Sequence, residues 1–321
     1  RHEPMRSPLS VPLPVPVAAR TCDSRANQAN RSPIAMRLKF LVLLCAAVIA
    51  VPAQAAPAMW RVHDTDTEVF LFGTIHELPA TATWQSPRIL DAFDAADSLV
   101  VEVDIPDDPY VVARAVEALG IQSGLPLLID RVPKDRRAAL LKAVDEAKLP
   151  IAAADRMRTW LAAITISDRL IDSAGFDATH GADTLMMQRA RTANKPIVGL
   201  ETIEQQLGYF DTLTEADQRK LLVATLDDMG TARADAEKLV ADWLAGNIDA
   251  IGANADRELR TTPELLARLV QQRNARWASW IEGVMKRPGK VFIAVGAGHL
   301  AGPDSVQSML EARGIKVERI P

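Results

Sequence analysis

Two histidines far apart in the chain sit in the same local setting. Val69-Phe70-Leu71-Phe72 leads into Gly73-Thr74-Ile75-His76, and Val291-Phe292-Ile293-Ala294-Val295 leads into Gly296-Ala297-Gly298-His299. Two glutamates end short apolar runs in a similar way: Ser98-Leu99-Val100-Val101 runs into Glu102, and Ile197-Val198-Gly199-Leu200 into Glu201. A strand, a turn and then a polar side chain is how an open α/β sheet supplies groups to its carboxyl edge, where such sheets place their sites. Two imidazoles with one or two carboxylates suit a first-row divalent metal ion. Such an ion polarises a carbonyl and lowers the pKa of bound water toward about 7. A carboxylate outside the coordination shell is then free to act as general base. The glycines allow close backbone approach, so that an imidazole can turn inward.

Each residue alone has a plainer reading. One histidine after a strand can be a hydrogen-bonded structural residue. Glu102 can be a solvated strand end, and Glu201 a helix-start acid favoured by the macrodipole. The four together favour one shared site. Arg273-Asn274 falls on a predicted helix with Trp277 and Trp280. Either that helix simply packs through its tryptophans, or Arg273 aims its guanidinium at a substrate carboxylate or oxyanion. Asp104 is either a supporting acid or an exposed loop charge. His63 is expected to face outward from an edge strand, and His180 to cap a helix. Gly296-Ala297-Gly298 has neither the Lys-Ser/Thr nor the spacing of a nucleotide loop. Gly-x-Ser-x-Gly, the mark of a serine nucleophile, is absent.

The elements that must position these groups follow from the pattern. Trp60–His63 and Glu68–Gly73 read as strands around the turn Asp64-Thr65-Asp66-Thr67. Ser86-Pro87 starts a helix. Leu99–Val101 is a buried strand. Residues 107–195 are mostly helical: one segment opens at Pro133 with Leu140, Leu141 and Val144 on one face, one runs from about Asp155 to Ser173, and one from Gly181 to Asn194. Ile197–Leu200 returns to strand. Residues 202–286 are helical again, with Thr214 and Thr262 as candidate N-caps. Val291–Gly298 is the clearest strand. Ser305–Arg313 is a closing helix ended by Gly314, and Lys316–Ile320 an edge strand. Strands alternating with long helices imply an α/β layered sheet. The two helical blocks are too long for simple crossovers, so they are expected to form a lid or subdomain over the carboxyl edge.

Composition narrows the setting. Residues 1–35 are rich in Pro, Arg, Ser and Ala and read as leader or upstream read-through, with His2 and Cys22 in it. Met36 opens a basic start, an apolar run from Phe40 to Val51 and Ala53-Gln54-Ala55, the pattern of a cleaved signal peptide. That run is short for a span of about 20 residues. Cys45 lies in it, but Leu43-Leu44 lacks the small residue of a lipid-anchoring site. Cleavage after Ala55 removes both cysteines, which excludes disulfides, cysteine nucleophiles and cysteine ligands. It leaves residues 56–321, with 30 Lys/Arg against 39 Asp/Glu. So acidic a body argues against binding nucleic acid or anionic membrane. A periplasmic or secreted location is expected, with no stable membrane insertion after cleavage.

Several separated motifs resemble the TraB/GumN family. They are Met59-Trp60-Arg61-Val62; Gly73-Thr74-Ile75-His76; Ala96–Asp104; Gly181-Ala182-Asp183; Gly199-Leu200-Glu201-Thr202 with Glu204-Gln205-Gln206; Arg273-Asn274-Ala275-Arg276-Trp277; and Val295–Gly302. They run in order over nearly all of 57–321. The resemblance extends to the TIKI metal-dependent proteases, which use two Gly-x-x-His motifs and a glutamate, and to the erythromycin-esterase and ChaN-like group. It implies a mixed central sheet flanked by helices, with His76, Glu201 and His299 as ligands of a divalent ion (Mn²⁺, Co²⁺ or Zn²⁺). Glu102 and Arg273 are the expected catalytic groups, Glu102 orienting or deprotonating the attacking water. The implied activity is metal-dependent hydrolysis of a peptide or other small substrate. Two alternatives stay open: a non-catalytic accessory or ligand-binding protein for polysaccharide export or cofactor capture, and a metal-free esterase-like hydrolase with His76 as base. Oligomeric state is not expressed in these patterns.

Overall fold

The first hairpin is built by its turn. Asp64 accepts hydrogen bonds on Oδ1 from the N–H groups of Asp66 and Thr67, at 3.1 and 2.8 Å. That Asx-type turn joins β1 (Met59–His63) to β2 (Thr67–Thr74) in antiparallel register. The computed structural model describes residues 56–321 except Asp107 and 260–262, with the side chains of 255–259 also left aside. The expected leader and signal peptide, with His2, Cys22 and Cys45, and the candidate cap Thr262 lie outside the described residues.

The remaining strands are β3 (Ser98–Val103), β4 (Ile197–Glu201), β5 (Gly289–Gly296) and β6 (Glu318–Ile320). They join β1 and β2 in one mixed sheet of order β4-β3-β5-β2-β1-β6. β4, β3, β5 and β2 run parallel, so their carboxyl ends meet at one edge. The register sets Thr74 opposite Gly296 and Val103 opposite Glu201, which brings both Gly-x-x-His steps and both glutamates to one level. β1 pairs with β2 on one side and β6 on the other, so it is internal rather than the expected edge. His63 is nonetheless exposed, because β6 pairs only as far as Arg61.

Both faces of the sheet are covered, so its central strands are apolar throughout. Phe70, Phe72, Leu99, Val101, Phe292 and Ala294 face one way. They pack under α1 (Pro87–Ala95), α6 (Ala182–Thr192) and α9 (Ala232–Leu244), through Phe93, Met186 and Trp243 among others. Val69, Leu71, Val100, Ile293 and Val295 face the other way, against α12 (Gln272–Val284) and α13 (Val306–Glu311). Each such large side chain stabilises the fold by roughly 1.5–3 kcal/mol relative to exposure.

A third apolar cluster belongs to helices alone. It joins α3 (Arg137–Glu146), α5 (Thr159–Ser173) and α8 (Glu215–Asp228) through Leu140, Val144, Ile166, Leu222 and Leu226. α5 comes from the first helical block and α8 from the second, so the blocks interleave. α2 (Pro109–Gly120) likewise packs on α7 (Ile203–Asp211). Leu141, expected inward, is exposed; Ala143 is buried instead, one step round the helix. α5 begins four residues later than expected, because Ile151–Ala154 makes a separate helical turn. Among the described residues no helix is long and apolar enough to cross a membrane.

Candidate functional site

Glu102 is placed by strand periodicity. It shares a sheet face with Val100, and that face lies under α12, which carries Arg273. The two charges meet at 2.5 Å, Arg273 Nη2 donating to Glu102 Oε2. Arg273 Nε reaches Glu201, 3.1 and 3.0 Å from its two oxygens. Arg273 Nη1 donates to His299 Nε2 at 3.0 Å. One buried guanidinium therefore ties three of the expected site residues together. A π-type turn, Ala267–Gln271, immediately precedes α12, and Arg273 Nη1 also donates to its Leu269 carbonyl at 3.2 Å. Such turns often accompany functional sites.

The tautomer of His299 follows from its neighbours. Arginine only donates, so Nε2 is an acceptor and the ring proton is on Nδ1. Nδ1 then donates to Asn274 Oδ1 at 2.6 Å. Asn274 is fixed in that orientation because its Nδ2 donates to the carbonyls of His299 and Asp304, at 3.2 and 2.7 Å. Burial, and after it the Arg273 charge, push the His299 pKa down to about 4, against the opposing pull of Glu102. At neutral pH the ring is neutral. Trp277 packs on it with centroids 4.5 Å apart.

His76 stands at the rim, its side chain 60 % exposed. Its Nδ1 lies 3.1 Å from Asp183 Oδ2. Desolvation by surrounding protein pulls its pKa down, but the hydrogen bond and charge of Asp183, with the charge of Glu102, outweigh that and raise it to about 9. A Cβ placed on Gly296 would lie 3.7 Å from His76 Nε2, 3.6 Å from His299 Cδ2 and 3.1 Å from Glu102 Oε1. Both imidazoles and Glu102 thus border one small space, and Gly296 leaves it open.

Glu102 remains ionised. Burial favours its neutral form, yet the charges of His299, Arg273 and His76 and the Gly296 N–H (2.7 Å from Oε1) hold its pKa down near 2. Gln206 Nε2 donates to Oε2 at 3.2 Å. A carboxyl whose folded pKa lies below its usual value stabilises the fold above about pH 4.5, and that gain is lost as pH falls toward about 2. Wild type is therefore expected to lose up to a few kcal/mol more than Glu102→Gln over that interval. Urea melts of both proteins from pH 5 to pH 2 measure this, and parallel losses would contradict it.

Glu201 is brought to the same edge, but its oxygens are already engaged. Oε1 accepts from the Tyr209 hydroxyl at 2.8 Å and from Arg276 Nη2 at 3.3 Å, besides Arg273. Asp104 is exposed and pairs with Arg191 at 3.5 Å, outside the site. His180 caps no helix: α6 starts from Gly181 without a side-chain cap, and His180 Nδ1 is buried with no hydrogen-bond partner among the described residues. Asp183, Asn274, Gln206, Tyr209 and Arg276 had no assigned role in the sequence reading. The signal for most of them was present, since all but Tyr209 lie within the quoted motifs. Thr202 and Gln205 form a reciprocal capping box that starts α7 and so sets Gln206 and Tyr209 beside the glutamates.

As metal donors, His76, His299 and Glu102 fit in kind. Each imidazole has Nδ1 held by an oxygen acceptor, the arrangement that orients ligating histidines, and His299 Nε2 lies 3.8 Å from Glu102 Oε1. Asp183 Oδ1 is buried with no hydrogen-bond partner among the described residues. Among the described residues, no three His, Cys, Asp or Glu side chains are close enough together to hold an ion as they stand, and Arg273 occupies the interval between Glu102, Glu201 and His299.

A parallel-centred sheet with two imidazoles, two carboxylates and a buried arginine at its carboxyl edge defines an α/β protein with a histidine–carboxylate centre. Residues 58–319 match the TraB/PrgY/gumN family, and the chain belongs to it. Uncharacterized protein YbaP of Escherichia coli (strain K12) is 26% identical over 244 residues, covering 75% of this chain and 86% of its own length. An uncharacterized protein of Treponema pallidum (strain Nichols) is 23% identical over 271 residues, 79% of this chain and 80% of its own. Metalloprotease TIKI2 of Danio rerio is 24% identical over 313 residues, which covers 78% of this chain and 58% of the relative. No solved structure matches.

Proposed function

We propose that this chain is an exported, metal-dependent hydrolase that cleaves peptide bonds. One observation carries the reading: two imidazoles, oriented through Nδ1 by Asp183 and Asn274, border one space with the ionised Glu102. The metalloprotease name of the TIKI2 relative supports it, and export rests on the signal pattern of residues 36–55. His76, His299 and Glu102 are the residues that would hold the ion. When bound, the ion supplies Lewis acidity and an activated water. Glu102 serves the water's proton as well, because its two oxygens are separately placed, Oε1 against Gly296 N–H and Oε2 against Gln206 and Arg273. Arg273 holds Glu102, Glu201 and His299 in register, its Nε, Nη1 and Nη2 all donating to protein acceptors. Glu201, expected as a ligand, acts here as the counter-ion that holds Arg273 in place.

Titration with Zn²⁺, Mn²⁺ or Co²⁺, metal analysis after desalting and digestion of a mixed peptide library test the proposal. One ion per chain and cleavage abolished by a chelator are expected. A protein that retains no ion and cleaves nothing would sink the reading. A bound ion without cleavage would favour a ligand-binding role. Arg273 keeps one further reading open, since Nη1 caps the His299 nitrogen that an ion needs. Cleavage that survives chelation would favour metal-free hydrolysis with His76 as base.

A further inference from the structure

Next to the histidine–carboxylate centre lies a cavity of about 540 Å³ between α7 and α12. Leu200, Gly208, Tyr209, Trp277 and Trp280 supply most of its lining, with Glu201 and Arg276 in its wall. It touches the centre at two points. Trp277 packs on the His299 ring, and Glu201 is hydrogen-bonded to Arg273. The Glu201 carboxylate is already shared by Arg273, Arg276 and Tyr209, and Arg276, half exposed, donates to the Tyr209 hydroxyl at 2.5 Å through the same Nη2. Gln205 and Thr212 add polar atoms to the lining, but most of the surface left for an occupant is apolar and aromatic. The volume falls in the range of small-molecule sites, about 300–1,000 Å³, and the space is partly open to solvent.

Gly208 is the telling residue. It sits inside α7, where glycine is a poor helix former. A Cβ there would meet nothing within 4 Å. No tight contact in the fold therefore requires glycine at this position, and any larger side chain would project into open space beside the cavity.

We propose that this cavity is a side-chain subsite for an uncharged apolar or aromatic residue of the substrate, and that Gly208 sets its size. The inference rests on the hydrolase reading for its meaning but is tested separately from it. Trp277 and Trp280 provide the readout. Wild-type protein is expected to bind N-acetyl-L-phenylalanine amide with a saturable change in tryptophan fluorescence. Gly208→Leu is expected to weaken that binding at least ~10-fold, while its helical circular dichroism is retained and its melting temperature is equal or higher. Gly208→Ala serves as the conservative control. In peptide digests, wild type cuts beside large apolar residues and Gly208→Leu shifts cleavage toward small ones.

No fluorescence change in wild type, or equal affinity in wild type and Gly208→Leu, overturns the subsite. If digestion proceeds with the same residue preference in both proteins, the hydrolase stands and the subsite falls. If neither protein digests peptide but probe binding depends on Gly208, the subsite stands and the hydrolase falls.

Discussion

Arg273→Met is expected to destabilise the fold by about 3–5 kcal/mol, because it removes the buried cation that two buried carboxylates share. Arg273 is 5 % exposed, Glu102 8 % and Glu201 7 %. Glu201 keeps Arg276 and Tyr209. Glu102 keeps only Gln206, the Gly296 amide and the two imidazoles nearby. Its folded pKa rises from about 2 toward its ordinary value, because the Arg273 charge is lost while those of His299 and His76 remain. Wild type gains stability as pH rises through the carboxylate range, and the variant gains less over the same interval. Glu102→Gln combined with Arg273→Met is expected to recover part of the loss, since the stranded charge is gone. Arg273→Lys is not expected to rescue, because one ammonium cannot bridge Glu102, Glu201 and His299 as a guanidinium fork does. Urea melts of the four variants from pH 4 to pH 8 decide this. A wild-type midpoint in Arg273→Met, with an unchanged pH slope, would show that the guanidinium is not the keystone of the pocket.

That keystone shows where sequence reading stops. The strands were legible because their chemistry is local. Val291–Val295 and Leu99–Val101 are unbroken apolar runs, as strands covered on both faces must be, and Asp64 announces the first hairpin turn. The convergence of His76, Glu102, Glu201 and His299 on one edge was legible too, since each closes a strand-like run and parallel strands share their carboxyl ends. The pairing inside the site was not. Arg273 and Glu102 are 171 residues apart, and Arg273 and Glu201 are 72 apart. No spacing rule relates them; only the packing of α12 on the face that holds Val100 brings them together. Interleaving of the helical blocks was hidden for the same reason. α5 and α8 each bury one side, and a buried stripe does not name its partner. Leu141 failed differently: the buried stripe of its helix runs through Leu140, Ala143 and Val144, and Leu141 lies just outside it.

Gly181→Ala is the second substitution with a large expected effect, and it acts on His76 from the backbone. A Cβ at Gly181 would lie 2.1 Å from the His76 carbonyl oxygen and 2.9 Å from its carbon. Both are backbone atoms, so no side chain can swing aside. The backbone at Gly181 has φ −53° and ψ 142°, which alanine adopts freely, so the conflict is steric rather than torsional. The start of α6 must withdraw. With it go the hydrogen bond from Ala182 N–H to the Ile75 carbonyl, 2.9 Å, and the Asp183 carboxylate that orients His76. Withdrawal also loosens Met186, Met187 and Ala190 in the sheet core. Overpacking of this kind typically costs about 1–3 kcal/mol, and loss of a supporting carboxylate typically lowers metal affinity or activity about 10–100-fold. Asp183→Asn separates the two consequences. It preserves shape, so it should melt near wild type above about pH 9 and below wild type at neutral pH, as the His76 pKa falls from about 9 toward the ordinary histidine range, because Asp183 is the main group that raises it. Imidazole NMR titration of both variants reads this directly. An unperturbed His76 resonance in a well-folded Gly181→Ala protein would show that α6 can settle elsewhere without disturbing the centre.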